Sequence, residues 1–116
     1  MQLIPIPITI LSGQSLSTEL DLGGPRLCGV AFPSAWTAAS LTFQAPINAD
    51  AETLVWGNLY SDAGTEISVP GTVDRVVMFS NPSLFLGVRR LKVRSGTSGT
   101  PVVQAANRTL YLLGVP

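Results

Sequence analysis

Between Leu41 and Val69 the chain reads LTFQAPINADAETLVWGNLYSDAGTEISV, and its side chains alternate with a period of two. Leu41, Phe43 and Ala45 interleave with Thr42 and Gln44, and Trp56, Asn58 and Tyr60 interleave with Val55, Gly57 and Leu59. Ile67 and Val69 resume the pattern. Successive residues of a strand point to opposite faces of a sheet, so this period selects strand over helix. Ser61-Asp62-Ala63-Gly64 interrupts the alternation. Its Asp can bond its own backbone and its Gly accepts a positive φ, so the stretch reads as strand, loop, strand, tight turn, strand. Trp56 and Tyr60 share one face and are expected to anchor the core.

The same rhythm runs through the rest of the chain. Ile4, Ile6, Ile8 and Ile10 fall on one side of an extended segment covering residues 1–11. Pro5 and Pro7 withhold their N–H groups from one and the same edge of it. Two readings stay open: an edge strand blunted against aggregation, or an arm that lays its isoleucine row on another subunit. Ser15 to Leu22 alternates and is expected to be a strand. Arg26 to Phe32 reads as a central strand with Cys28, Val30 and Phe32 on one side, followed by a loop through Trp36. Val73 to Phe79 is predicted as a strand with Val77 and Phe79 on one face and Val76 and Met78 on the other. Val88 to Arg94 is predicted to point Leu91 and Val93 inward and Arg90, Lys92 and Arg94 outward. Residues 95–107 form a long loop before a last strand from Arg108 to Val115.

Turns recur at intervals of roughly 8–12 residues, and nothing supports a helix longer than about two turns. The expected fold is all-β: one antiparallel β-sandwich domain of about eight strands over residues 1–116. Phe43, Trp56, Leu59, Val77, Leu91 and Tyr111 are expected in its core or at the core margin.

Composition narrows the function. Seven basic and seven acidic residues give zero formal net charge, which argues against nucleic acid or an anionic membrane as the partner. Charged residues make up 12% of the chain, about half the usual share, so the surface is expected either to be rich in Ser, Thr, Asn and Gln or to have a face covered by a partner. The chain has no histidine, which removes the commonest general base and metal ligand. Cys28 is the sole cysteine and reads as a small buried apolar group. No apolar run approaches the roughly 20 residues of a membrane span, and the N-terminal segment lacks the basic region of a signal peptide.

The remaining motifs carry little chemistry. Ser95-Gly96-Thr97-Ser98-Gly99-Thr100 lacks the Lys and the following helix of a phosphate loop. Asp50, Glu52, Asp62 and Glu66 form no recognisable metal or acid–base pattern. Neither a cofactor nor a metal nor catalysis is expected. Arg90, Lys92 and Arg94 form a basic row that reads first as a solvated sheet face and next as a row pairing with acids on a neighbouring subunit; without stacking aromatics between them they fit nucleic acid poorly.

The segments AFPSAWTAASLTFQA, WGNLYSDAGTE and LKVRSGTSGTPVVQAANRTLYLL together resemble small β-sandwich structural proteins of tailed bacteriophages, over roughly Ala31 to Leu113. The order of their core residues is also similar to that of discoidin-like sandwiches. The chain departs from secreted discoidin domains in lacking bridging cysteines, so no binding residues carry over. The resemblance implies a non-enzymatic virion protein, made in the host cytoplasm and sitting on the capsid surface as a decoration or cement protein. Its partners would be capsid or other virion proteins and further copies of itself. The alternative is a carbohydrate-binding module of a tail or head fibre, with Trp36 as the candidate glycan contact. The candidate partner contacts are Ile4, Ile6, Ile8, Ile10, Trp36, Arg90, Lys92 and Arg94.

Overall fold

The computed structural model describes residues 2–116; Met1, the first residue of the N-terminal segment, lies outside the described residues. Nine strands follow one another: β1 (Ile4–Ile10), β2 (Leu20–Asp21), β3 (Arg26–Ala31), β4 (Leu41–Pro46), β5 (Trp56–Asn58), β6 (Ser68–Val69), β7 (Val76–Met78), β8 (Arg90–Ser95) and β9 (Arg108–Val115). A short 3₁₀ turn, Pro82–Phe85, precedes β8. The strands form two antiparallel sheets, ordered β1-β9-β3-β7 and β2-β8-β4-β5, with β6 added to β4. The pairs β1–β9, β2–β8, β3–β7 and β4–β5 are nested one inside the next. That nesting is a long antiparallel ribbon rolled over on itself, which makes the sandwich a jelly roll.

The two sheets close on a core of Ile8, Ile10, Leu27, Val30, Leu110 and Leu112 from one side and Leu41, Phe43, Leu91 and Val93 from the other. Phe43 packs edge-on against Phe85 and Phe79 at centroid distances of 5.1 and 6.2 Å. Phe79 and Phe85 stack at 4.7 Å. Leu59 and Val77 pack against this core from its margin.

Three features depart from simple alternation. The β3–β9 register slips between Leu27 and Gly29. The bulge turns Leu27, rather than Cys28, into the core beside Val30, and leaves Cys28 half-buried with its Sγ 3.4 Å from the Leu113 carbonyl. The expected strand from Ser15 to Leu22 shrinks to Leu20–Asp21 and a single bridge at Leu16. Ser17 explains this: its Oγ accepts from the Val93 N–H at 3.0 Å, so a side chain takes a place in the ladder that a backbone carbonyl would fill. The expected strand over 73–79 is shorter as well, because Asp74 adopts φ 57° and breaks the extension.

Trp36 meets Phe32 edge-on at 5.3 Å and donates from Nε1 to the Ala39 carbonyl. Gly71 lies against this corner, and a Cβ there would run into the Ala39 carbonyl oxygen and the Trp36 indole nitrogen. Gly71→Ala is therefore expected to displace the Trp36 loop and lower the melting temperature, whereas Gly24→Ala, which meets open space, should leave it nearly unchanged. Equal thermal shifts for the two variants would contradict this packing.

Candidate functional site

The register of the five-stranded sheet decides which side chains share its outer face. Thr42 stands opposite Arg94, and Gln44 opposite both Lys92 and Asn58. Pro46 stands opposite Trp56, and Asp21 opposite Arg90. Tyr60 bridges Glu66. The expected outward row Arg90, Lys92, Arg94 therefore exists as one face of β8, but its members differ in accessibility. Arg90 is exposed, Lys92 half-buried and Arg94 buried.

Arg94 is buried because neighbouring side chains close over it. It pairs with Glu66 at 3.5 Å, the two side chains being 9% and 13% exposed. Its other terminal nitrogen donates to Asn58 Oδ1 at 2.8 Å, and Gln44 donates to the same oxygen at 3.2 Å. Glu66 also accepts from the Ser98 N–H at 3.1 Å. The group is thus a structural lock between β5, β8 and the turns after them. A free partner contact was expected at Arg94; the lock leaves it none to offer.

Trp56 and Tyr60 lie on this outer face too, and not in the core. The Lys92 ammonium sits 4.6 Å from the Trp56 ring centroid, and the Tyr60 hydroxyl lies 3.5 Å from Ser98 Oγ. Leu59, on the opposite row, is the residue that turns inward. Tyr111, expected near the core, is 46% exposed on the outer face of the other sheet.

At Pro46 the sheet opens into a cleft of about 400 Å³, lined by Pro46, Asp50, Leu86, Arg89 and Arg90 among others. Pro46 is the cause. Ile47 donates to the Val55 carbonyl and Leu59 donates to the Phe43 carbonyl, so the odd residues of β4 bond β5 and the even ones face β8. Position 46 would direct its N–H at β8, and proline has none. The β4–β8 ladder accordingly ends at Gln44–Lys92, and the strands part.

Arg89 at the cleft is bonded to Asp21 at 2.9 Å, while Arg90 makes no ion pair among the described residues. The Arg89 side chain and, after it, the Gly23 N–H hold the Asp21 carboxyl below the ordinary aspartate range. A depressed carboxyl favours the folded state above its unfolded pKa, and that contribution fades as pH falls through the folded value. An NMR titration should find Asp21 ionising below a free aspartate, and Arg89→Ala should move it back up. No change on that substitution would remove Arg89 as the cause.

The outer face of the four-stranded sheet has a different character. Pro5, Leu113, Gly29 and Met78 form one row across it, and Pro7, Tyr111, Ala31 and Val76 form the next. Thr9 and Thr109, hydrogen-bonded at 2.9 Å, form a third. None of these side chains is charged; the charge on this face is Arg26, which stands opposite Val115 at the end of β3 and donates to the Pro116 carbonyl. The isoleucine row lies on the other side of β1. Ile8 and Ile10 are buried in the chain's own core and Ile4 and Ile6 are half-buried, so β1 is an edge strand paired to β9. An arm carrying the isoleucines to another subunit is not the arrangement present. Trp36, at 8% exposure, belongs to the core and has no face to offer a glycan.

One structural residue gave no sequence signal. Gln104 is buried in the long loop, where it exchanges bonds with both backbone groups of Thr37 and accepts from Arg108. Its own backbone bonds Gln14 and Gly13. It ties three loops at one end of the sandwich, a role that no short-range pattern announces. Among the described residues no group of three or more His, Cys, Asp or Glu could hold a metal ion, and no helix is long and apolar enough to cross a membrane. No protein-family model matches the chain, and no curated protein or solved structure is significantly similar to it.

Proposed function

We propose that this chain is a non-enzymatic structural protein of a bacteriophage virion, a decoration or cement protein of the capsid. The observation that carries the reading is the centre of the outer face of the β1-β9-β3-β7 sheet, where Val76, Met78 and Tyr111 stand open to solvent and the charged residue of this face, Arg26, lies at its end opposite Val115. An open, partly apolar patch of this kind marks a surface made to be covered. Zero net charge leaves little long-range repulsion between copies or against a shell. Jelly rolls serve as viral capsid and lectin domains, an analogy of fold alone. The bacteriophage setting rests on the resemblance of the Ala31–Leu113 segments.

The test is co-sedimentation of the purified protein with empty capsids and, separately, with purified tails. Binding to capsids, lost when Tyr111 and Met78 are both changed to Glu, is the expected result. Binding to neither particle would overturn the reading.

A second reading, a glycan-binding module, is favoured by one observation: Trp56 and Tyr60 share the polar outer face of the five-stranded sheet. Aromatic rings flanked by amides and cations suit a sugar's apolar face and its hydroxyls. Retention on a glycan panel, abolished by Trp56→Ala, would move the assignment there.

A further inference from the structure

The four-stranded sheet has two edges, and they are chemically unlike. At β1 the isoleucines bond β9, so Pro5 and Pro7 turn their nitrogens to the free side and offer no hydrogen there. At β7 the arrangement is open. Phe32 donates to the Arg75 carbonyl and Phe79 donates to the Cys28 carbonyl. Arg75, Val77 and Phe79 therefore face β3, and Val76 and Met78 direct their N–H and C=O groups away from the sheet. Their side chains, 63% and 51% exposed, lie in the uncharged rows of the outer face. A natural sheet normally blunts such an edge with a charge, a proline or a covering loop. Here the proline device is spent on β1 alone.

We propose that β7 pairs antiparallel with β7 of a second copy of this chain, about a two-fold axis through Val77. This rests on the reading of the chain as an assembling component and specifies how two copies meet. The register follows from the axis. Val76 lies opposite the second copy's Met78 and Met78 opposite its Val76, each pair exchanging two backbone hydrogen bonds, four in all. Beyond them Arg75 falls opposite Phe79, and Asp74 opposite Ser80, so no like charges meet. A second copy brings to this edge the same free backbone groups and the same uncharged Val76 and Met78, and meets Asp74 and Arg75 with neutral residues, so the contact closes as an isologous pair. It joins the two outer faces, whose central rows are uncharged, into one band across eight strands, ordered β1-β9-β3-β7-β7-β3-β9-β1. Both new outer edges are then the donor-poor β1, which stops the sheet at a dimer and prevents growth into a fibre.

The test uses the full chain in sedimentation equilibrium at micromolar to submillimolar concentration. Two double variants are compared with it, Val76→Lys/Met78→Lys and Val76→Glu/Met78→Glu, each checked by thermal melting to be folded. The positions are exposed, so folding should persist. In each variant homodimer like charges face one another twice, which should weaken the dimer about a hundredfold. Mixing the Lys and Glu variants places opposite charges in both pairs and should restore dimers. A wild-type dimer that is unchanged in both variants overturns the β7 pairing, as does variant loss without rescue on mixing. A wild-type monomer throughout also overturns it, and if that monomer still binds empty capsids the virion assignment stands without the pairing.

Discussion

Replacing Glu66 by alanine is expected to lower stability by about 3–5 kcal/mol, because it strands a buried cation. Arg94 is 9% exposed on its side chain, and apart from Glu66 its partners are the neutral oxygens of Asn58 and Thr42. Those oxygens accept hydrogen bonds but do not neutralise charge, so the folded chain must either bury an unpaired guanidinium or open the sheet to water. The loss is a large fraction of the roughly 5–15 kcal/mol that keeps a domain of this size folded. The double variant Glu66→Leu/Arg94→Met removes both charges and fills similar volume, and should recover much of the loss. Urea titrations of the two variants and the parent chain make the comparison. A Glu66→Ala loss under about 1 kcal/mol, the scale of an exposed pair, would show that solvent reaches Arg94. Moderate salt should change the parent's stability little through this pair, since burial shields it from screening.

Truncating Phe43 to alanine should cost a similar amount, about 3–5 kcal/mol, by a different route. Phe43 is fully buried at the centre of β4 and meets Phe79 and Phe85 edge-on. Those two rings come from the segment just after β7 and from the 3₁₀ turn, so Phe43 is where the β4 sheet holds the connection between β7 and β8. Removing it leaves a cavity that the stacked Phe79–Phe85 pair cannot fill without leaving its own contacts. Phe43→Leu, which keeps most of the volume, should lose about half as much or less. If alanine and leucine gave equal losses in urea titration, the edge-on packing would not be the source of the energy.

The jelly-roll topology bears on both proposals about the surface. Rolling the ribbon leaves each sheet with one face inside and one face outside, and the two outer faces of this chain are built differently. One is polar, locked by Arg94 and Glu66, with Trp56 and the cleft at Pro46. The other carries its charge, Arg26, at one end and is uncharged in the rows that reach the open β7 edge. Face and edge together concentrate the chain's low charge content in one place, which is what an interface requires and a free surface does not.

The sequence by itself determined the class of fold and most of its segments. Period-2 alternation, turn chemistry at Ser61–Gly64 and the recurrence of breaks are local properties, so β4, β7, β8 and β9 were legible from the residues that compose them. So was the blocked edge at Pro5 and Pro7, because a missing N–H is a property of the residue itself. Alternation divides a strand into two rows without saying which row turns inward. That choice belongs to the opposing sheet, which takes Leu59 rather than Trp56 and Tyr60, and leaves Tyr111 outside. The burial of Arg94 needed Glu66, Asn58 and Thr42 brought together from three other stretches of chain. The bulge that exchanges Leu27 for Cys28, the interruption of the second strand at Ser17 and the cleft at Pro46 are likewise events of pairing. Each arises where two strands meet, and a pairing partner distant in sequence leaves no mark on the local pattern.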